Sequence, residues 1–146
     1  MIIFDMLYFA YGSNLNHEQM KTRCKKSKYI QKFFLENYKL IFCTFDSNCG
    51  VANIIPKLGS QVPGGVWKIS QNDEKELDTY ERFPKKYTKD YFILNGEKVM
   101  FYIIKNQYSF KSPQRHYINI IYQGYKNCNL NTEYLKKRLR DYNIDL

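Results

Sequence analysis

The chain has 146 residues, with 23 basic and 14 acidic side chains and a formal net charge of +9 at pH 7. A hydrophobic fraction of 44%, with 10 phenylalanines and 14 tyrosines, excludes a disordered chain, and the length fits one domain over residues 1–146 with a real core. No apolar stretch is long enough to span a membrane: the longest apolar start, Met1 to Tyr11, is broken by Asp5 and lacks the basic flank and cleavage site of a signal peptide.

These features point to a soluble, cytoplasmic protein with no membrane partner. Its positive charge would suit a nucleic acid, an anionic surface or an anionic small substrate. The basic residues are scattered, however, with local clusters only at Lys21, Arg23, Lys25, Lys26 and Lys28 and at Lys136, Lys137, Arg138 and Arg140. Joint enrichment in Lys, Asn, Ile and Tyr fits an A+T-rich codon bias at least as well, which argues against nucleic acid. Cys24, Cys43, Cys49 and Cys128 show no C-x-x-C spacing, and His17 and His116 form no ligand set with them. His17 lies seven residues before Cys24, two helical turns away and poorly placed as its base. The expectation is therefore free thiols, no metal, no cofactor and no catalytic cysteine.

In chain order, the apolar run from Met6 to Tyr11 ends in Gly12-Ser13-Asn14, and a polar segment follows. A buried strand reads this way when it runs into a tight turn and a helix N-terminus. Gly12 lets the backbone approach a ligand closely, and Ser13 and Asn14 are both good N-caps with free amides beyond them. On residue types alone, a plain strand–turn–helix junction is the favoured reading of this stretch. The helix covers residues 16–24. Residues 27–45 read as one long aromatic strand, or as two with a bend near Glu36-Asn37. A short apolar run over residues 50–56 leads to a turn at Lys57-Leu58-Gly59-Ser60.

Residues 62–69 are the next strand, in which Pro63, Gly64 and Gly65 predict a bulge or a close approach. Residues 70–83 predict a helix, capped by Ser70 or Asn72, acidic in its first turn and stopped by Pro84. Two runs, residues 87–94 and 97–105, joined by Asn95-Gly96, predict a hairpin. Ser112-Pro113 opens a helix to about Tyr122 with Gly124 as its stop, and residues 130–142 form a last amphipathic helix with Leu135 and Leu139 four apart. The strands are mostly antiparallel neighbours, with one helix after the first strand, one in the middle and two at the end. That pattern is α+β, not alternating βαβ.

Glu81 draws attention because an acid near a helix C-terminus is disfavoured by the dipole and here sits among Leu77, Tyr80 and Phe83. If that face is buried, desolvation raises the carboxyl towards the range of a general base. The competing reading is a surface glutamate paired with Arg82, Lys85 or Lys86, and on residue types alone that one prevails.

Four blocks in register change the balance. Tyr8-Phe9-Ala10-Tyr11-Gly12-Ser13-Asn14-Leu15 resembles the opening signature of the γ-glutamylcyclotransferase-like (AIG2-like) family. Gly65-Val66-Trp67-Lys68 is similar to the strand before its middle helix, Leu77-Asp78 followed by Glu81 resembles its L-D-x-x-E motif, and Ser112-Pro113-Gln114 with Tyr117, Ile120, Ile121 and Gly124 resembles its C-terminal block. Arg82 stands where many members have Gly, and Pro84 and Tyr87 look like those of the bacterial branch. The resemblance covers nearly the whole chain.

It implies a small mixed or antiparallel β-barrel flanked by helices, and an enzyme that needs no cofactor. Tyr8, Phe9, Ala10, Tyr11, Gly12, Ser13 and Asn14 would bind a γ-glutamyl substrate, Glu81 would be the general acid/base, and Tyr117 would contact the substrate, with Tyr122 and Tyr125 as neighbouring alternatives. The implied reaction is intramolecular: the α-amine of a γ-glutamyl amino acid or amine attacks its own γ-carbonyl and releases 5-oxoproline. The alternatives are a related enzyme with the same base and another acyl donor, and a non-catalytic small-molecule or nucleic-acid-binding protein that keeps the fold.

Overall fold

The computed structural model describes residues 5–46 and 49–146. Met1 to Phe4, the first part of the apolar start, lie outside the described residues. Six strands form one sheet in the order β4-β5-β1-β3-β2-β6. Strand β1 (Met6–Ala10) lies inside it, antiparallel to β3 (Val51–Ile69) with Tyr8 opposite Trp67, and parallel to β5 (Glu97–Ile103) with Tyr8 opposite Met100. A strand paired on both sides and covered on both faces needs the unbroken apolar run seen in its sequence.

Strand β2 (Lys28–Thr44) pairs with β3 along most of its length, so the long aromatic segment is one strand with a local defect. The defect sits where the bend was expected. Asn37 takes φ 66°, and pairing jumps from Glu36–Gln61 to Tyr38–Pro56, so that residues 57–60 loop out opposite it. The Gly59 amide donates to the Asn37 side chain at 3.1 Å. The expected turn at residues 57–60 is therefore an excursion within one continuous strand. A second irregularity falls in β2 between Tyr29 and Gln31, not at Gly64-Gly65. Those glycines mark a close approach instead: a Cβ on Gly64 would lie 2.4 Å from the Ala10 carbonyl oxygen and from the Phe9 ring.

Strand β4 (Thr88–Leu94) and β5 form the expected hairpin, with Asn95 and Gly96 at φ 51° and 80°. Strand β6 (Ser109–Phe110) is two exposed residues paired with Cys43 and Thr44. No pairing among the described residues joins β6 to β4, so the sheet is open, and "barrel" describes it only loosely. The reason is local: a two-residue strand offers too short a ladder to close a barrel.

A 3₁₀ turn (Ser13–Leu15) separates β1 from helix α1 (His17–Arg23). This turn moves the helix cap from Ser13 or Asn14 to Asn16, whose side chain accepts from the Gln19 amide at 3.1 Å. Helix α2 (Gln71–Tyr80) opens on a capping box, with the Ser70 hydroxyl and the Asp73 carboxylate each accepting the other's amide at 3.1 Å. It stops three residues before Phe83.

Helix α3 (Arg115–Asn127) runs five residues beyond Tyr122, and Gly124 lies within it rather than ending it. A Cβ there would lie 2.6 Å from Leu15 Cβ and 2.7 Å from the Asn16 amide nitrogen. The glycine lets α3 rest against the turn after β1, and Asn16 Nδ2 donates to the Ile120 carbonyl beside it. Helix α4 (Glu133–Arg140) buries Leu135 and Leu139 in the core that includes Phe9, Phe42 and Phe101. No helix among the described residues is long and apolar enough to cross a membrane.

Candidate active site

The end of β1, the start of β3, the end of α2 and the start of α3 meet around a cavity of about 190 Å³. Tyr8, Tyr11, Gly12, Ser13 and Asn14 form one wall, and Val51, Ala52 and Tyr117 another. Tyr80, Glu81, Lys86 and Tyr87 come from the end of α2 and the turn after it, and Tyr102 from β5.

Glu81 owes its place to how α2 stops. Arg82 takes φ 54°, its amide donates to the Thr79 carbonyl, and the Phe83 amide donates to the Asp78 carbonyl at 2.9 Å. This is a Schellman ending with arginine in the left-handed position that usually holds glycine, and it leaves Glu81 as the C-cap facing the cavity. The helix itself is anchored. Asp78 accepts from the Tyr102 hydroxyl at 2.6 Å, and Lys89 bridges Asp78 (2.9 Å) and Glu74 (2.8 Å), tying α2 to the β4–β5 hairpin. The surface pairing expected as the plainer reading of Glu81 is absent among the described residues: Arg82 instead pairs with Asp46 at 2.7 Å. Burial pushes the Glu81 carboxyl up to about 7, offset in part by the positive charges of Arg23 and Lys86.

Tyrosine hydroxyls fill the site. Tyr11 donates to the Tyr102 carbonyl at 2.8 Å, and Tyr87 to the Ala52 carbonyl at 2.6 Å. The Ala52 amide donates to the Tyr117 hydroxyl at 2.9 Å, and Asn14 Nδ2 donates to Tyr8 at 3.0 Å. Arg23 donates to Asn14 Oδ1 and lays its guanidinium 3.4 Å from the centre of the Tyr80 ring, whose hydroxyl is 3.2 Å from Ser13 Oγ. Burial, with Glu81 next in effect, holds Tyr8, Tyr11 and Tyr87 well above the usual phenol range, so all three stay neutral.

A sequence model of the family described as "Gamma-glutamyl cyclotransferase, AIG2-like" matches residues 8–125. The chain belongs to that family. A human gamma-glutamylcyclotransferase is 29% identical over 91% of this chain and 77% of its own length. A mouse gamma-glutamylcyclotransferase is 33% identical over 51% of this chain, a match that spans 43% of the mouse protein. Among solved structures, a human protein described as uncharacterized superposes with a TM-score of 0.80 at 29% identity, covering 92% of this chain and 86% of that one. A structure titled "Gamma-glutamyl cyclotransferase" gives 0.80 at 27% identity with the same coverage. YkqA from Bacillus subtilis, at 18% identity and a TM-score of 0.77, shares the fold.

Of the residues that the family signature singled out, Tyr8, Tyr11, Gly12, Ser13, Asn14, Glu81 and Tyr117 line the cavity. Phe9 and Ala10 do not. Strand alternation turns Phe9 away from Tyr8 and into an aromatic cluster, edge-on to Phe33 and Phe92, while Ala10 is buried opposite Gly65. Tyr122 and Tyr125 stay outside the lining; Tyr125 is wholly buried, and Tyr122 lies beneath Lys126. His17 reaches Cys128 at 3.5 Å, and Cys24 turns instead to the Asp73 carbonyl. Burial raises the Cys24 thiol to about 12 and the Cys128 thiol to about 11. Sequence reasoning missed Arg23, Tyr80, Lys86, Tyr87 and Tyr102. Arg23 was one basic residue in a cluster, and in a chain with 14 tyrosines no single tyrosine stands out.

Proposed function

We propose that this chain is a γ-glutamylcyclotransferase-type enzyme that releases 5-oxoproline from a γ-glutamyl amino acid or amine, with Glu81 as general acid/base. The observation that carries the reading is that Glu81, the C-cap of α2, and the turn after β1 line one cavity, where burial favours the protonated carboxyl. The reaction asks for little more. Nucleophile and electrophile share one molecule, so the site need only hold the folded-back rotamer. The α-amine is mostly protonated at neutral pH and must lose a proton before it attacks. With that first proton gone to solvent, Glu81 takes the second one from the nitrogen as it adds and returns it to the leaving nitrogen as the bond from the γ-carbonyl carbon to that nitrogen breaks. Gly12, Ser13 and Asn14 line the cavity together with Tyr117, and their backbone amides are the donors assigned to the substrate α-carboxylate. Nothing in this chemistry calls for a metal or a redox group.

The test is incubation with a panel of γ-glutamyl amino acids and γ-glutamylamines, assaying 5-oxoproline. The wild-type chain releases it from at least one of them. Glu81→Gln, folded as judged by circular dichroism, loses at least about 100-fold in kcat, the scale of a general acid/base contribution. Full activity in that variant would refute the mechanism.

A further inference from the structure

The tyrosines of the site stop being equivalent once each hydroxyl proton is followed. Tyr11, Tyr87 and Tyr102 donate to the Tyr102 carbonyl, the Ala52 carbonyl and the Asp78 carboxylate, so their protons are spent within the protein. Tyr80 shares one bond with Ser13 in either direction and is 42% exposed, so water can satisfy it. Tyr8 and Tyr117 are different, because each accepts a hydrogen bond. The Ala52 amide can only donate, so Tyr117 must accept from it.

For Tyr8 the direction is set at one remove. Arg23 has no acceptor atom, so the Asn14 atom facing it is the amide oxygen. The Asn14 amide nitrogen is then the atom facing Tyr8, and it too can only donate. Tyr8 accepts there and keeps its own proton. Its residue is 4% exposed and lines the cavity, so that proton is left for whatever occupies the site.

We propose that Tyr8 is a catalytic hydrogen-bond donor to the γ-carbonyl oxygen of the substrate, and that Arg23 and Asn14 are positioning residues that fix the direction of its hydroxyl. The proposal rests on the cyclisation read above. With Glu81 assigned to the reacting nitrogen and the loop amides to the α-carboxylate, the γ-carbonyl oxygen is the pole still without a donor. As the amine adds, the carbonyl π pair moves onto that oxygen. It returns when the bond to the leaving nitrogen breaks. Tyr8 lends a hydrogen bond throughout and gives up no proton; Glu81 carries the one that passes from the adding nitrogen to the leaving nitrogen. Burial, and after it the charge of Glu81, keep the phenol neutral; once Glu81 has taken the proton of the adding amine that opposing charge is gone, and the smaller effect of Arg23 favours negative charge nearby. A neutral, pre-aimed donor in an enclosed site is worth most where charge develops.

The test compares Tyr8→Phe, Asn14→Asp and the double variant with the wild-type chain, on a substrate that the panel has identified. Tyr8→Phe is expected to lower kcat by about 100- to 1000-fold with KM changed little, the scale of losing one oxyanion donor. Asn14→Asp keeps the shape but offers Tyr8 an acceptor, which turns its proton away from the substrate. It should lower kcat to a similar level while strengthening the contact with Arg23. The double variant should then fall no further than either single one. A kcat unchanged in Tyr8→Phe, or a loss confined to KM, overturns the proposal and leaves the cyclisation reading standing. Multiplying losses in the double variant overturn the positioning role of Asn14. Should Tyr8→Phe fail to fold, Asn14→Asp with wild-type kcat overturns the proposal by itself. A wild-type chain that releases no 5-oxoproline brings down the cyclisation reading, and this proposal with it.

Discussion

Glu81 sits where a helix dipole works against an acid, and the two cations that feel it, Arg23 and Lys86, do not cancel the cost of its burial. They do set where it titrates. To take a proton from the substrate amine, Glu81 must be ionised, so kcat/KM should rise as pH is raised through about 7 and level off above it. Lys86 holds the carboxyl down, and removing its charge lets the pKa climb. Lys86→Met should therefore move the acid limb of the profile upward by a few tenths of a pH unit, measured as kcat/KM against pH. A limb that moves downward, or a profile flat across neutrality in the wild-type chain, contradicts the role given to Glu81. Arg23 carries a second burden, because it also fixes Asn14 and stacks on Tyr80. Its replacement would mix electrostatics with geometry, and Lys86 is the cleaner probe.

Single elements were most legible where one residue type dictates local geometry. Asn95-Gly96 specified the hairpin between β4 and β5, because both positions need positive φ. The start of α2 was legible to within two residues, with Ser70 or Asn72 as its cap, and the capping box of Ser70 with Asp73 decides for Ser70. Where it ends was harder to read, since the left-handed residue of its Schellman turn is Arg82, which carries no glycine signal. Gly124 misled in the opposite sense. It is the usual signal for a helix end, yet α3 needs it for contact with Leu15 and Asn16. Two effects compete there. Alanine is a better helix former by about 1 kcal/mol, but the atoms a new Cβ would meet include backbone, which cannot rotate away. Overpacking of this kind costs about 1–3 kcal/mol, so Gly124→Ala should lower the urea midpoint of unfolding. Because the strain falls on the turn that carries Gly12, Ser13 and Asn14, its activity should fall by more than its stability at assay temperature accounts for. A stabilised, fully active variant would show that α3 can move away without consequence.

At the scale of the whole molecule, residues far apart in sequence build the cavity. Tyr8 and Glu81 are brought together because β1 lies between β3 and β5 and because Lys89, Asp78 and Tyr102 tie α2 to the hairpin. The family signature located both halves; the sheet order that joins them, and its open edge at β6, rest on long-range pairing that no local pattern reports. This arrangement has a thermodynamic consequence. The Glu81 carboxyl has an ordinary value of 4.5 and a folded value of about 7, so the folded state binds the proton more tightly than the unfolded chain does. Below 4.5 the group is protonated in both states and contributes nothing. Between 4.5 and about 7 the folded state holds more proton, and stability falls as pH rises. Above that window the whole cost is present, of order 3 kcal/mol at about 1.4 kcal/mol per unit. Glu81→Gln removes the charge and with it the cost. The variant expected to be inactive should thus be the more stable protein at about pH 8, by an amount that shrinks to near zero at about pH 4, as read from urea midpoints at both values. An equal difference at the two pH values would mean that the glutamate acts on stability through packing alone, and a variant less stable at the higher pH would mean that its carboxylate is not desolvated in the folded chain.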